Sequence, residues 1–456
     1  MTRIRPVLSW LVAFLVGLAP AVASAQSNDE VFPQFQWNFA TPGARANAMG
    51  GAFIGLADDA SAAVTNPAGL LNLTRPQIYF EYKSTDLRVA RLADVDSFFT
   101  GMPTTTSKMI NVPSFVSVSA PVGSKLAVGF SRHEFLNDRE DFTLSPRPVP
   151  GAVTFGYTQL PVDGSSKFSA TSYLGTVAYR VNAQLRVGVS VGVDRLDASS
   201  QATRFGFLCS AKGCGDTFGV TTRTVNGQPL VVSQTSIDNS SSGASFAAGA
   251  LFTPSDRLSV GAQFSKGSSL KVAEHLQVNP GFQNLLSDTN QPLVDLVGSP
   301  VTVPIDVPNR FGVGIAVRPT SRFAVTADIV HITYSSLASH FVVIIDALSL
   351  TPDEYDIPDT TEIHFGGEYM IHTGSHPVFV RAGVYNSPDH STRFIGTPLP
   401  LSIDTDAAQR AIYNSLSKDT RVIGTVGIGL SFGKHAQADI AYTGMRELIA
   451  SLGARF

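Results

Sequence analysis

After residue 76, hydrophobic positions recur with a period of two, where a helix would repeat them about every 3.6 residues. In 422–432 one face carries Val422, Val426, Ile428, Leu430 and Phe432, and the other carries Thr425, Gly427, Gly429 and Ser431. The same division sets Phe311, Val313, Ile315 and Val317 against Gly312, Gly314 and Ala316, and Leu185, Val187, Val189, Val191 and Val193 against Arg186, Gly188, Ser190 and Gly192. The alternating runs predict about fourteen strands, at 77–89, 112–122, 125–137, 168–182, 185–201, 243–253, 257–272, 308–318, 322–335, 360–372, 376–386, 420–432, 435–442 and 448–456.

Alternation alone also fits a soluble sandwich, so the connections decide. Tight turns near 123, 182, 255, 320, 374 and 433 alternate with long segments centred near 100, 150, 220, 290, 348 and 403, with one short exception near 445. Short turns on one rim and long loops on the other are the signature of an even-stranded transmembrane barrel. Lipid offers no hydrogen-bond partners, so strands cross it only when the sheet closes. The predicted fold class is therefore all-β, a transmembrane antiparallel β-barrel. In the last strand Leu448, Ala450, Leu452, Ala454 and Phe456 face lipid, and Glu447, Ile449, Ser451, Gly453 and Arg455 face the lumen. A terminal aromatic such as Phe456 resembles the signal read by barrel-assembly machinery.

Composition agrees. Hydrophobic residues make up 43% of the chain and charged residues 15%, too few charges for an ordinary soluble surface of 456 residues. The net charge of −3 gives nucleic acid no basic surface. Residues 1–25 read as a signal peptide: Arg3 and Arg5 precede the apolar run 7–18, and Ala23-Ser24-Ala25 offers a cleavage site. That run is too short for a spanning helix. Cys209 and Cys214 are the only cysteines, and in an oxidising compartment they read as a disulfide closing a small loop. No metal or cofactor is expected.

Residues 26–76 do not alternate. Phe35, Trp37 and Phe39 form an aromatic stretch, and 43–70 consists mostly of small residues. Such a segment fits a plug inside a lumen or a periplasmic tail. Met49-Gly-Gly-Ala-Phe53, Ala57-Asp-Asp-Ala60 and Asn66-Pro-Ala-Gly-Leu70 resemble the amino-terminal hatch of the long-chain fatty-acid transporter (FadL-type) outer-membrane proteins. The run 308–328 into Tyr334-Ser-Ser336 is similar to a hairpin of that family, and Arg381-Ala-Gly383 with Ser387-Pro388 is a weaker match. The resemblance implies a fourteen-stranded barrel, 77–456, plugged by a hatch, 26–76, with Asn66, Pro67 and Ala68 as its motif. It implies that outer loops collect hydrophobic ligands and that the hatch shifts to release them. The glycine-rich 43–51 is also similar to PorV-like barrels of type IX secretion, which leaves a secretion or surface-attachment partner as the other reading.

Gly188-Val-Ser-Val-Gly192 matches the nucleophile elbow, but it lies within a regular strand with no turn to strain the serine, so catalysis is not expected. Asp328, Glu368, Arg381, Asp439 and Arg455 point inward by parity, where they pair with one another or hold the hatch. Arg381 is also a candidate for a bidentate contact with a ligand carboxylate. Phe35, Trp37, Phe39 and Phe53 are candidates to line an apolar cavity or to anchor the plug. Phe282, Leu285, Leu286 and Leu293 form an apolar stretch in an outer loop, fitting a hydrophobic capture site. The expected function is energy-independent uptake of hydrophobic compounds such as long-chain fatty acids by a monomeric barrel among outer-membrane lipids.

Overall fold

A computed structural model describes residues 37, 39–90, 105–144, 147–148, 157–159, 162–208, 221–222, 224–282, 290–295, 299–338, 355–371, 376–390, 393–395 and 420–456. The signal peptide, Phe35, Cys209, Cys214, Leu285 and Leu286 lie outside the described residues.

Fourteen antiparallel strands close into a barrel. They are β1 (Gln77–Ala90), β2 (Thr105–Val122), β3 (Leu126–Leu144), β4 (Val162–Arg180), β5 (Leu185–Phe205) and β6 (Val231–Ser255). β7 runs Leu258–Lys266 and continues as Ser269–Val278; β8 runs Val301–Asp306 and continues as Arg310–Thr320. The remainder are β9 (Phe323–Ile332), β10 (Thr360–Ile371), β11 (Val378–Ser387), β12 (Arg421–Phe432), β13 (Ala436–Thr443) and β14 (Glu447–Arg455). The last strand pairs with the first, from Gln77↔Arg455 to Thr85↔Glu447, so no sheet edge is left there.

Parity is as the sequence predicts. Val313, Val191, Val426, Ile428 and Leu452 are exposed on the outer wall, and Ser190, Asp328, Asp439 and Ser451 are buried inside. Ile449, an apolar residue on the inward face, packs with Ala44 and Ala48 of the amino-terminal segment.

Every predicted strand is present, but several run further at the end opposite the tight turns. β6 begins at Val231 and β5 continues to Phe205. Asp238 to Ser242 pair with β5 throughout while carrying no apolar face. The outward face need not be apolar beyond the hydrocarbon layer, so the alternation vanishes while the backbone ladder persists.

Two breaks interrupt the regular pairing of the wall. β2 and β3 pair only from Phe115↔His133 to Val122↔Leu126. Beyond that point Thr105–Ser114 stays with β1 and Glu134–Leu144 with β4, so the two strands part. The second break is a kink shared by neighbouring strands, at Gly267-Ser268 in β7 and Val307-Pro308-Asn309 in β8.

Candidate functional site: the hatch and the lumen cavity

Within the barrel, two short helices, α1 (Ala44–Ala48) and α2 (Ala62–Thr65), and a 3-10 turn, Pro67–Asn72, form a compact hatch. Asn66 starts that turn: its Oδ1 accepts from Ala68 N at 3.3 Å, and Pro67 sits at the first position, where a missing N–H costs nothing. The Asn66 Nδ2 donates to Ile54 O at 2.9 Å and to Ala250 O at 3.1 Å, tying hatch to wall.

Small residues on both sides permit this approach. A Cβ on Gly249 would collide with Asn66 Oδ1, and one on Gly188 with the Pro67 carbonyl. Ser190, the central residue of the elbow-like motif, donates from Oγ to Ala63 O at 2.9 Å, so its place is structural.

The wall supplies charges to hatch amides that lack partners of their own. One Asp328 oxygen accepts from Phe53 N at 2.6 Å and Ile54 N at 2.7 Å. Glu81 accepts from Gly43 N and from Ser114 Oγ. Arg45 joins Asp58 at 2.5 Å and Glu368 at 2.8 Å. Arg381 joins Glu368 at 2.6 Å and Asp439 at 2.8 Å. In that chain of buried charges each ion meets an opposite one. Burial pushes the Asp59 carboxyl up to about 6 against the opposing pull of Arg45, while Ser61 donates to it from both N and Oγ.

Above the hatch lies a cavity of about 500 Å³. Trp37, Phe39, Phe135, Ile332 and Tyr334 give it an apolar wall, and Lys83, Arg310, Glu362 and His364 a polar one. Trp37 stacks on Phe135 with ring centroids 5.4 Å apart, and His390 stacks on Tyr334 at 4.2 Å. The Arg310 guanidinium lies over the Phe39 ring, 4.7 Å from its centroid. Among the described residues its side chain donates to Ser265 Oγ at 3.4 Å and has no carboxylate within ion-pair reach. Ile110, Val112 and Ser114 of β2 and Glu134 to Asn137 of β3 also line the cavity, so it reaches the parted strands.

The structure sorts the sequence candidates. Trp37 and Phe39 face the cavity; Phe53 packs below it with Met49, Leu56 and Ala316. Arg381 sits among the buried ion pairs, its side chain fully enclosed, and is absent from the cavity lining. There Glu368 and Asp439 pair with the guanidinium, away from the cavity, in the wall-charge role that parity also allowed it. Arg455 borders a second hollow of about 290 Å³ beneath the hatch, with Arg45, Asp58 and Arg75. Leu293 is half-buried, and Phe282 closes the turn Pro280–Phe282.

Sequence reasoning missed Arg310 and Phe135. Arg310 shares the inward parity of Gly312 and Gly314, and that was the available signal. Phe135 sits at a register shift between Glu134 and Leu136, which defeats counting by twos.

A closed barrel with an apolar outer wall, a docked hatch and a lumen cavity is a channel of the bacterial outer membrane. The family model described as "Outer membrane protein transport protein (OMPP1/FadL/TodX)" matches residues 33–398, more than half of the chain, and the protein belongs to that family. No curated protein matches it. Its fold is similar to the crystal structure of a Pseudomonas aeruginosa FadL homologue, with TM-score 0.56 and 15% identity over 93% of this chain and 99% of that one. It is also similar to the Ralstonia pickettii toluene transporter TbuX, with TM-score 0.54 and 15% identity over 92% and 99% of the two chains. For the Pseudomonas putida toluene transporter TodX the TM-score is 0.56 and the identity 13%, over 92% and 99%.

Proposed function

We propose that the protein takes up hydrophobic compounds passively, and that within this class it favours long-chain carboxylates such as fatty acids over unsubstituted hydrocarbons. The observation that carries the preference is Arg310, a cavity cation held against Phe39 with no carboxylate in ion-pair reach among the described residues. A carboxylate there receives a charge-assisted contact in a site largely shielded from water, while its chain lies along Trp37, Phe135 and Ile332. An unsubstituted hydrocarbon leaves the cation unpaired.

Exit through the wall between β2 and β3 fits the same cavity, whose lining includes residues from both parted strands. An apolar ligand then partitions into the bilayer without crossing the hatch, and no energy source is required. A secretion-partner barrel is less favoured, because the large apolar cluster around Trp37, Leu196, Val303 and Tyr334 is buried rather than offered to another protein.

Uptake of labelled oleate and labelled toluene into a deletion strain, with and without the protein, tests this reading. Mass spectrometry of lipid recovered with the purified barrel complements it. Saturable oleate uptake exceeding that of toluene is expected. Absence of uptake for both compounds, with no hydrophobic molecule recovered, would refute it.

A further inference from the structure

The outer halves of β7 and β8, Ser269–Val278 and Val301–Asp306, pair with each other from Ser269↔Asp306 to Glu274↔Val301. They join their lower halves through the shared kink, and the two bends lie side by side: a Cβ on Gly267 would strike the Val307 carbonyl. Few contacts cross this line. Val307 N donates to Ser268 O at 2.8 Å, and Gly267 N donates to Asn309 Oδ1 at 3.2 Å. Two bends at one level make a hinge axis across the pair.

The pairing at its flanks is also interrupted. Among the described residues, the strand pairing of Val301–Ile305 is with β7 alone. On the opposite flank, β6 pairs with the lower half of β7 from Phe246 to Ser255 and with the upper half only from Ser233 to Ile237. Side chains bridge the interval between these ladders. Asn239 donates from Nδ2 to Lys271 O at 3.0 Å and accepts from Ala273 N at 2.9 Å, imitating a peptide group, and Ser241 Oγ accepts from Lys271 N at 2.9 Å.

The inner face of this pair is apolar. Leu270, Val272, Val303, Ile305 and Val307 are buried in the cluster that includes Trp37, Ile332 and Tyr334, three residues that line the cavity. The pair therefore backs the apolar wall of the cavity, one layer behind Trp37, Ile332 and Tyr334.

We infer that Ser269–Val278 and Val301–Asp306 form a hinged flap that swings away from β6 to admit ligand. The inference rests on the uptake reading for its purpose, and on the hinge and the bridged seam for its mechanics. Opening exposes apolar surface to water, which is unfavourable unless an apolar solute covers that surface as it enters. A polar solute supplies no such compensation, so the flap itself discriminates.

The test uses the full chain with Cys209→Ser and Cys214→Ser. Ser236→Cys with His275→Cys joins the flap to β6 at a paired position, and Ala250→Cys with Ala262→Cys joins the same strands below the hinge. Oxidation of the upper pair is expected to reduce uptake of a hydrophobic dye at least tenfold, reversibly with reductant, while the lower pair has no effect. Equal uptake before and after oxidation of the upper pair would overturn the flap.

A second readout needs no transport. Leu270→Cys, on the buried inner face of the flap, is expected to react with a hydrophobic maleimide, and to react several-fold faster when Asn239→Ala and Ser241→Ala remove the bridges. An unchanged labelling rate overturns the inference even where uptake is normal. Faster labelling in a protein that takes up no ligand leaves the flap standing and refutes the uptake reading instead.

Discussion

Arg310 lies over the ring of Phe39 at 4.7 Å, so one residue of the barrel wall and one of the amino-terminal segment meet where the apolar and polar walls of the cavity join. The ring faces the cation with its electron-rich surface, which holds the guanidinium in place without neutralising it.

Replacing Arg310 with Met keeps length and apolar bulk but removes the charge. A hydrogen bond to a charged group contributes about 1.5–3 kcal/mol, corresponding to roughly tenfold or more in affinity. Oleate binding, measured by tryptophan fluorescence or calorimetry, should weaken by that factor, while toluene binding stays within about twofold. Equal losses for both ligands would remove Arg310 from the headgroup role.

Lys108 and Asp141 face each other across the parted β2 and β3, with Nζ and Oδ2 2.9 Å apart. Lys108→Cys with Asp141→Cys, in a chain lacking Cys209 and Cys214, lets a reductant-cleavable bis-maleimide reagent span the gap. Uptake should fall on cross-linking and recover when the reagent is cleaved. Undiminished uptake in the cross-linked protein would exclude this exit.

Asp328→Asn keeps the shape but replaces a charged acceptor for Phe53 N and Ile54 N with a neutral one. The hatch should loosen by about 1–3 kcal/mol. Limited proteolysis is expected to cleave within 43–73 faster than in the parent, while the barrel keeps its heat-resistant electrophoretic mobility.

Gly249→Val drives a side chain into the position of Asn66 Oδ1. The hatch motif then has no seat, and single-channel conductance should rise as the plug is displaced. A silent channel with an intact hatch would contradict the assigned contact.

Asp59 has its carboxyl raised from 3.8 to about 6, chiefly by burial. A raised folded-state pKa means that its contribution is fully present below about pH 4 and is lost as pH rises through about 6. Two units correspond to at most about 3 kcal/mol. Urea midpoints for release of the hatch should fall between pH 4 and 7 in the parent and fall less in Asp59→Asn. Parallel pH profiles would assign the dependence to other groups.

The sequence by itself determined the barrel. Period-two alternation, strand length and the alternating turns and loops are local properties, and lipid on one side enforces them residue by residue, so Val313 and Val426 announce their face without any partner being known. Residues 43–70 were legible only as too small and too irregular for wall strands, fitting a plug or a periplasmic tail, and the family resemblance alone pointed to a hatch. The tertiary structure decided what the inward residues do. Parity sends Arg310, Arg381 and Asp328 to the same side, but whether a cation meets a wall carboxylate or an open cavity depends on which strand stands opposite at the same height. Glu368 and Asp439 enclose Arg381, whereas Phe39 leaves Arg310 open to the cavity. The parted strands, the bulge at Phe135 and the paired bends at Gly267 and Val307 are likewise departures from regular pairing between distant segments. An alternating pattern encodes regular pairing and carries no record of where it fails.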